Sequence, residues 1–165
     1  MFNERKTEII TRELLVEQNY YDSETITVEE QVSDFKNIRK LLSKASKSKS
    51  GKPGYPEFII TDKSYPEYIV IVECKANLKN HKSKKLDNPK TFNLDGAIHY
   101  SKHLSEEFNV ISIAITGTKK SNLEISIFIQ RKGSNECNPL TTSAGKEIKS
   151  FLSFRDLGIS VRISV

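Results

Sequence analysis

Gly51-Lys52-Pro53-Gly54-Tyr55-Pro56-Glu57-Phe58-Ile59-Ile60 and, a short turn later, Ile69-Val70-Ile71-Val72-Glu73-Cys74-Lys75-Ala76 are the two stretches on which the fold turns. The unbroken β-branched run 69–72 predicts a strand over 68–73, and the shorter apolar run predicts another over 56–61. Between them Asp62-Lys63-Ser64-Tyr65-Pro66 is turn chemistry, so the two strands are expected to be neighbours. Side chains alternate along a strand, which puts Glu73 and Lys75 on one face and Cys74 on the other. If the strands pair, Glu57 comes to lie beside Glu73, close enough for both carboxylates to share a hard divalent cation.

Outward from this pair, good helix formers over 4–19, with Ile9, Ile10, Leu14 and Leu15 and no Gly or Pro, predict a first helix. Asn3 is its expected cap, and Glu4 and Glu8 fall in its first turns. A second helix is read over 28–45 from Val32, Phe35, Ile38 and Leu42, followed by an exposed Ser, Lys and Gly loop over 46–54. Residues 77–93 read as a long basic loop and 94–108 as a helix. Strands over 110–116 and 123–130 show period-two alternation. A last helix over 142–154 and a last strand over 159–165 complete the outline. The whole predicts one domain over 1–165, of α/β class, with a central mixed β-sheet flanked by helices.

The 165 residues carry a formal charge of +5, mostly from lysine, which favours a polyanionic partner without requiring one. Two cysteines argue against a disulfide framework and suit a reducing cytoplasm. No apolar leader follows the charged N-terminus and no run of eighteen apolar residues occurs, so secretion and membrane spanning are disfavoured.

Phosphodiester hydrolysis needs a cation to polarise the phosphate, a water of lowered pKa and a positive group near the developing charge. Glu57, Glu73 and Lys75 supply the means for all three, and the main-chain carbonyl of Cys74 is a further candidate oxygen ligand. Lys52 stands nearest the carboxylates in a basic stretch that includes Lys47 and Lys49. Together with Lys79, Lys82, Lys84 and Lys85 it is a candidate contact to the DNA backbone. For most of the stretch before Pro56, a solvated helix end is an equal reading. His99 and His103 have zinc-like i, i+4 spacing but lack a third ligand nearby, so they read as ordinary histidines. His81 reads as a loop residue and Tyr100 as a packing residue.

Pro56-Glu57 followed by Glu73-Cys74-Lys75 resembles the PD-(D/E)XK nuclease superfamily. The flanking residues are similar to the N-terminal nuclease domains of type IIG and type I restriction-modification enzymes. Gly96-Ala97-Ile98-His99-Tyr100-Ser101-Lys102-His103-Leu104 resembles the helix that follows the active-site strands there. The resemblance covers about residues 4–130 and is sharp over 51–76. It implies a restriction-endonuclease-like fold, Mg²⁺ as cofactor with Mn²⁺ as substitute, double-stranded DNA as substrate, and a prokaryotic cytoplasm. It also implies a glutamate from the first helix at the site, for which Glu8 is chosen over Glu4 and Glu13. Partners would be methyltransferase and target-recognition parts, with transient pairing on DNA. The superfamily's first acidic residue is usually Asp; here it is Glu57. No Asn-Pro-Pro-Tyr methyltransferase signature occurs, which leaves a fragment of a larger enzyme or a stand-alone nuclease. Rival readings are a DNA-binding module of the same fold without turnover, and a protein-interaction domain whose Glu and Lys merely form a surface ion pair.

Overall fold

A computed structural model describes residues 3–163, with side chains up to Arg162. Its elements run α1 (Glu4–Glu17), β1 (Ile26–Glu29), α2 (Lys36–Leu42), β2 (Phe58–Asp62), β3 (Tyr68–Lys75), α3 (Asn93–Leu104), β4 (Asn109–Thr116), β5 (Glu124–Gln130), β6 (Cys137–Pro139) and α4 (Phe154–Ile163). The strands form one six-stranded sheet in the order β1-β2-β3-β4-β5-β6. Only β3 and β4 are parallel; the other neighbours are antiparallel. The expected α/β class with a mixed sheet and flanking helices is what the chain adopts. None of the described helices is long and apolar enough to cross a membrane.

The uninterrupted apolar run of β3 is explained by burial on both faces. Val70, Val72 and Cys74 join Phe58, Ile60 and the inner residues of β4 and β5 against Leu15 of α1 and Leu157 and Val161 of α4. On the other face Ile69 and Ile71 meet Ile38 and Leu42 of α2 and Tyr100 and Leu104 of α3. The β2–β3 pairing expected from the turn is present, with Phe58 opposite Val72 and Ile59 opposite Ile71. One step further along this register stand Glu57 and Glu73. The Asn3 side chain caps α1 by accepting the Arg5 N–H at 3.0 Å.

Three expectations are corrected. The helix read over 28–45 is in fact β1 followed by the seven-residue α2. Thr25-Ile26-Thr27-Val28 is a β-branched run, and Val32 and Phe35, which suggested a helical face, are exposed. The stretch read as a helix over 142–154 is irregular: Thr141 bridges Glu147, and Gly145 sits at φ +80 in the intervening turn. The last strand read over 159–165 is helical through Ile163, and positions 164–165 lie outside the described residues. Its alternating Ile159, Val161 and Ile163 mimic a strand. The burial of Phe154, Leu157 and Val161 nevertheless has helical spacing, and Ser153 Oγ accepts the Asp156 N–H at 3.1 Å as a helix cap would.

Gly54 has no room for a side chain. An added Cβ would stand 2.5 Å from the Tyr100 ring and 2.6 Å from the Ala45 carbonyl oxygen. Since the second of these is main chain, Gly54→Ala is expected to destabilise the protein by about 1–3 kcal/mol, read as a lower urea midpoint with unchanged slope.

Candidate active site

At its C-terminal end β3 turns Glu73, which is buried, and Lys75, which is partly exposed, to one face of the sheet, while Cys74 turns to the other. The Cys74 thiol is buried against α1, where it shares a 3.3 Å hydrogen bond with Thr11 Oγ1, and burial raises its pKa well above the usual thiol value. Only its main chain is thus on offer to a ligand on the Glu73 face. Thr7 fixes the same end of the strand to α1: its hydroxyl donates to the Gly117 carbonyl at 2.7 Å and lies 3.3 Å from the Lys75 carbonyl.

Glu73 is 2% exposed, and both of its oxygens have protein partners. Oε1 accepts the Glu57 main-chain N–H at 3.2 Å, and Oε2 accepts the Lys47 ammonium at 2.9 Å. Burial outweighs these partners and raises the Glu73 pKa. Burial, the largest single influence, would lower that of Lys47, but the charge and hydrogen bond of Glu73 together with Tyr100 and Glu57 outweigh it, and the net direction is upward. Both members of the pair shift up because burial outweighs the partners of the carboxylate, whereas the several negative groups around the lysine together outweigh its burial.

Glu57 is half-buried beside Glu73. Burial, then the charges of Glu73 and Glu8, push its pKa up to about 7, with Lys47 and the Gln31 side chain opposing. A carboxyl held there shares its proton with solvent near neutrality, as residues with chemical roles often do. Of the three α1 candidates, Glu8 is the one whose charge acts on Glu57. Glu4 is tied to Lys75, 3.4 Å away, and Glu13 lies with Ile9, Val16, Glu17 and Lys120 along the outer groove of α1. Glu57, Glu73, Lys75 and Glu8 thus gather at one corner of the sheet. Among the described residues, no cluster of three or more His, Cys, Asp or Glu side chains is placed to hold a metal ion. The hard-oxygen donors here are one carboxylate pair with Glu8 near it.

Sequence reasoning missed the importance of Lys47. Lys52, favoured for its closeness in sequence, is exposed, and it is Lys47 that reaches Glu73. Its stem passes between the Tyr100 ring, with the ammonium 5.6 Å from the centroid, and Gly96, whose Cβ position lies 3.2 Å from Lys47 Cδ. The small residue at 96 and the aromatic at 100 on α3 were the available signals.

Lys79, Lys82, Lys84 and Lys85 are exposed on the segment after β3. The segment, read from the sequence as a long loop, is anchored to the body of the domain. Buried Asp95 accepts the main-chain N–H groups of Ser83 at 3.0 Å and Asn88 at 2.9 Å. His81 is also buried, with Nδ1 2.7 Å from Thr116 Oγ1 and Nε2 2.7 Å from Ser126 Oγ. His99 lies 3.0 Å from the Ala45 carbonyl oxygen and packs edge-on to His103, and Tyr100 belongs to the core.

The molecule is an α/β sheet protein with one enclosed and one half-buried carboxylate and a lysine at one sheet corner. No family model matches the chain, and no solved structure matches it significantly. Over 105 residues it is 34% identical to the type II restriction enzyme and methyltransferase RM.BcgI of Heyndrickxia coagulans. The match covers 56% of this chain and 16% of that protein, so the chain spans only a small part of its relative's length. The similarity supports a restriction-enzyme-like origin.

Burial lowers the His81 pKa below the ordinary 6.5, so the folded state prefers the neutral ring. Its contribution to stability is full above the unfolded histidine's pKa and is lost as pH falls through that value toward the folded one. Wild type should therefore lose more unfolding free energy between pH 7 and pH 5 than His81→Gln does, in denaturant melts at matched ionic strength.

Proposed function

We propose that residues 1–165 are a single divalent-metal-dependent DNA endonuclease domain, the cutting part of a prokaryotic, cytoplasmic restriction-modification system. The observation that carries the reading is a fully enclosed carboxylate at the end of a core strand with a second carboxylate beside it. Keeping the first of these out of water beside a second negative charge costs free energy, which ordinary solvated surface charge does not. The RM.BcgI similarity supports the restriction setting, and the PD-(D/E)XK spacing supports the reaction type.

The donors fit Mg²⁺ or Mn²⁺. Magnesium commonly takes one or two carboxylates and completes its shell with water and phosphate oxygens, which is what Glu57 and Glu73 can offer. When bound, the ion would polarise a phosphodiester oxygen and make a bound water more acidic. Glu57 and Glu73 hold it in this reading, with the Cys74 carbonyl as a further oxygen. Lys75 orients the attacking water and stands beside the negative charge that develops on phosphate. Glu8 reinforces the negative field at Glu57, and Glu4 keeps Lys75 in place until substrate arrives.

Double-stranded DNA would lie across the basic surface of Lys52, Lys79, Lys82, Lys84 and Lys85, held through phosphates and without sequence reading. Sequence choice would then come from target-recognition and methyltransferase parts, and cutting both strands from transient pairing of two such domains on DNA.

Supercoiled plasmid incubated with the protein and Mg²⁺ or Mn²⁺ should be nicked or linearised, with Lys75→Ala and Glu73→Gln slower by about a hundredfold or more. Intact plasmid together with salt-sensitive DNA binding would replace this reading with a non-cutting DNA-binding module. Intact plasmid without DNA binding would leave a protein-interaction domain. In the binding assay itself, replacing Lys84 or Lys85 by Ala should flatten the dependence of log affinity on log salt by about 1 for each phosphate no longer neutralised.

A further inference from the structure

Lys47 takes up the one Glu73 oxygen that a ligand from outside could use. Oε1 is held by the Glu57 N–H, which belongs to the chain entering β2 and cannot leave without disturbing the β2–β3 pairing. Oε2 is held by an ammonium on a flexible four-carbon stem. The two partners also differ in access: the Lys47 side chain is 27% exposed and that of Glu73 3%.

The segment that carries Lys47 is a loop held at Ser46, whose N–H donates to the Lys52 carbonyl at 3.1 Å and whose carbonyl oxygen lies 3.1 Å from His99 Nε2, so the part that can move is the lysine side chain rather than its backbone. Residues 43–57 lie outside helix and strand, and the stretch 46–52 is Ser, Lys and Gly, with Lys49 and Gly51 at positive φ. Lys47 is the only one of its basic residues that turns inward among those described; Lys49 and Lys52 face solvent. The slot between Tyr100 and Gly96 guides the stem without forming a hydrogen bond to the ammonium, so the head group is retained chiefly by Glu73.

We propose that Lys47 is a displaceable counter-cation. It neutralises Glu73 while the carboxylates hold no metal, must withdraw when a divalent ion takes Oε2, and is then free to join Lys49 and Lys52 against a phosphate. This inference rests on the metal-dependent reading given above. The competition follows from charge and space, because an ammonium at 2.9 Å and a divalent ion cannot use the same oxygen side. The gain is a site that stays charge-balanced when empty and whose metal and polyanion affinities rise together, since each ligand favours the withdrawn lysine.

The test uses Mn²⁺ alone, without DNA. Calorimetric titration of Lys47→Met should show affinity for Mn²⁺ raised by about tenfold or more over wild type, the size expected from removing a competing ion pair. Unaltered protein gives an independent readout, so the outcome does not depend on the variant folding. Acetic anhydride labelling, followed residue by residue by mass spectrometry, should find Lys47 protected in the metal-free state and faster to label at saturating Mn²⁺. Equal or weaker Mn²⁺ binding by Lys47→Met, or Lys47 labelling indifferent to saturating Mn²⁺, overturns the counter-cation role and leaves the metal site standing. No Mn²⁺ binding by either protein overturns both.

Discussion

The Glu73 carboxylate sits at the closed end of a core strand, with an amide N–H on one oxygen and an ammonium on the other. Taking such a group out of water is among the more expensive arrangements a fold sustains, and it requires partners for both oxygens. The local architecture follows from that demand. The start of β2 must bring its N–H within reach, the loop after α2 must return to the sheet, and α3 must present a surface along which a lysine stem can pass.

Each requirement is met by a specific packing solution. The Phe58–Val72 register fixes Glu57 next to Glu73. Gly54 lets the loop chain press against Ala45 and Tyr100, and its N–H donates to the Leu42 carbonyl at 2.8 Å. Gly96, in the first turn of α3, leaves space for Lys47 where a larger residue would fill it. Glu57 then inherits its environment: enclosed by the same elements and next to two other carboxylates, it is pushed up to about 7.

A second set of buried polar groups orders the segment after β3. Asp95 and His81 tie down the lysine-bearing segment between β3 and α3, so its basic side chains are displayed on a fixed backbone. A pre-ordered surface spares part of the ordering cost that a mobile segment pays on binding a polyanion. The Asn93 amide donates to the Ile115 carbonyl and to Thr116 Oγ1 in the same network.

The sequence by itself determined the central strands, the flanking helices α1 and α3, and the pairing of Glu57 with Glu73. Each of these is written in local periodicity or in a short turn, where neighbours in sequence are neighbours in space. It also contained signals that went unused, the β-branched residues of β1 and the Ser153 cap of α4. Tertiary structure alone decided the contacts made across long separations. Lys47 reaches a carboxylate 26 positions away, and Thr7 reaches a carbonyl 110 positions away. Glu8 rather than Glu4 acts on Glu57, and β-branched residues near the C-terminal end of the described chain are helical. The physical reason is common to all: a long side chain, a helix face or a β-branched segment has several acceptable local states. Only the burial and charge supplied by distant parts of the chain select among them.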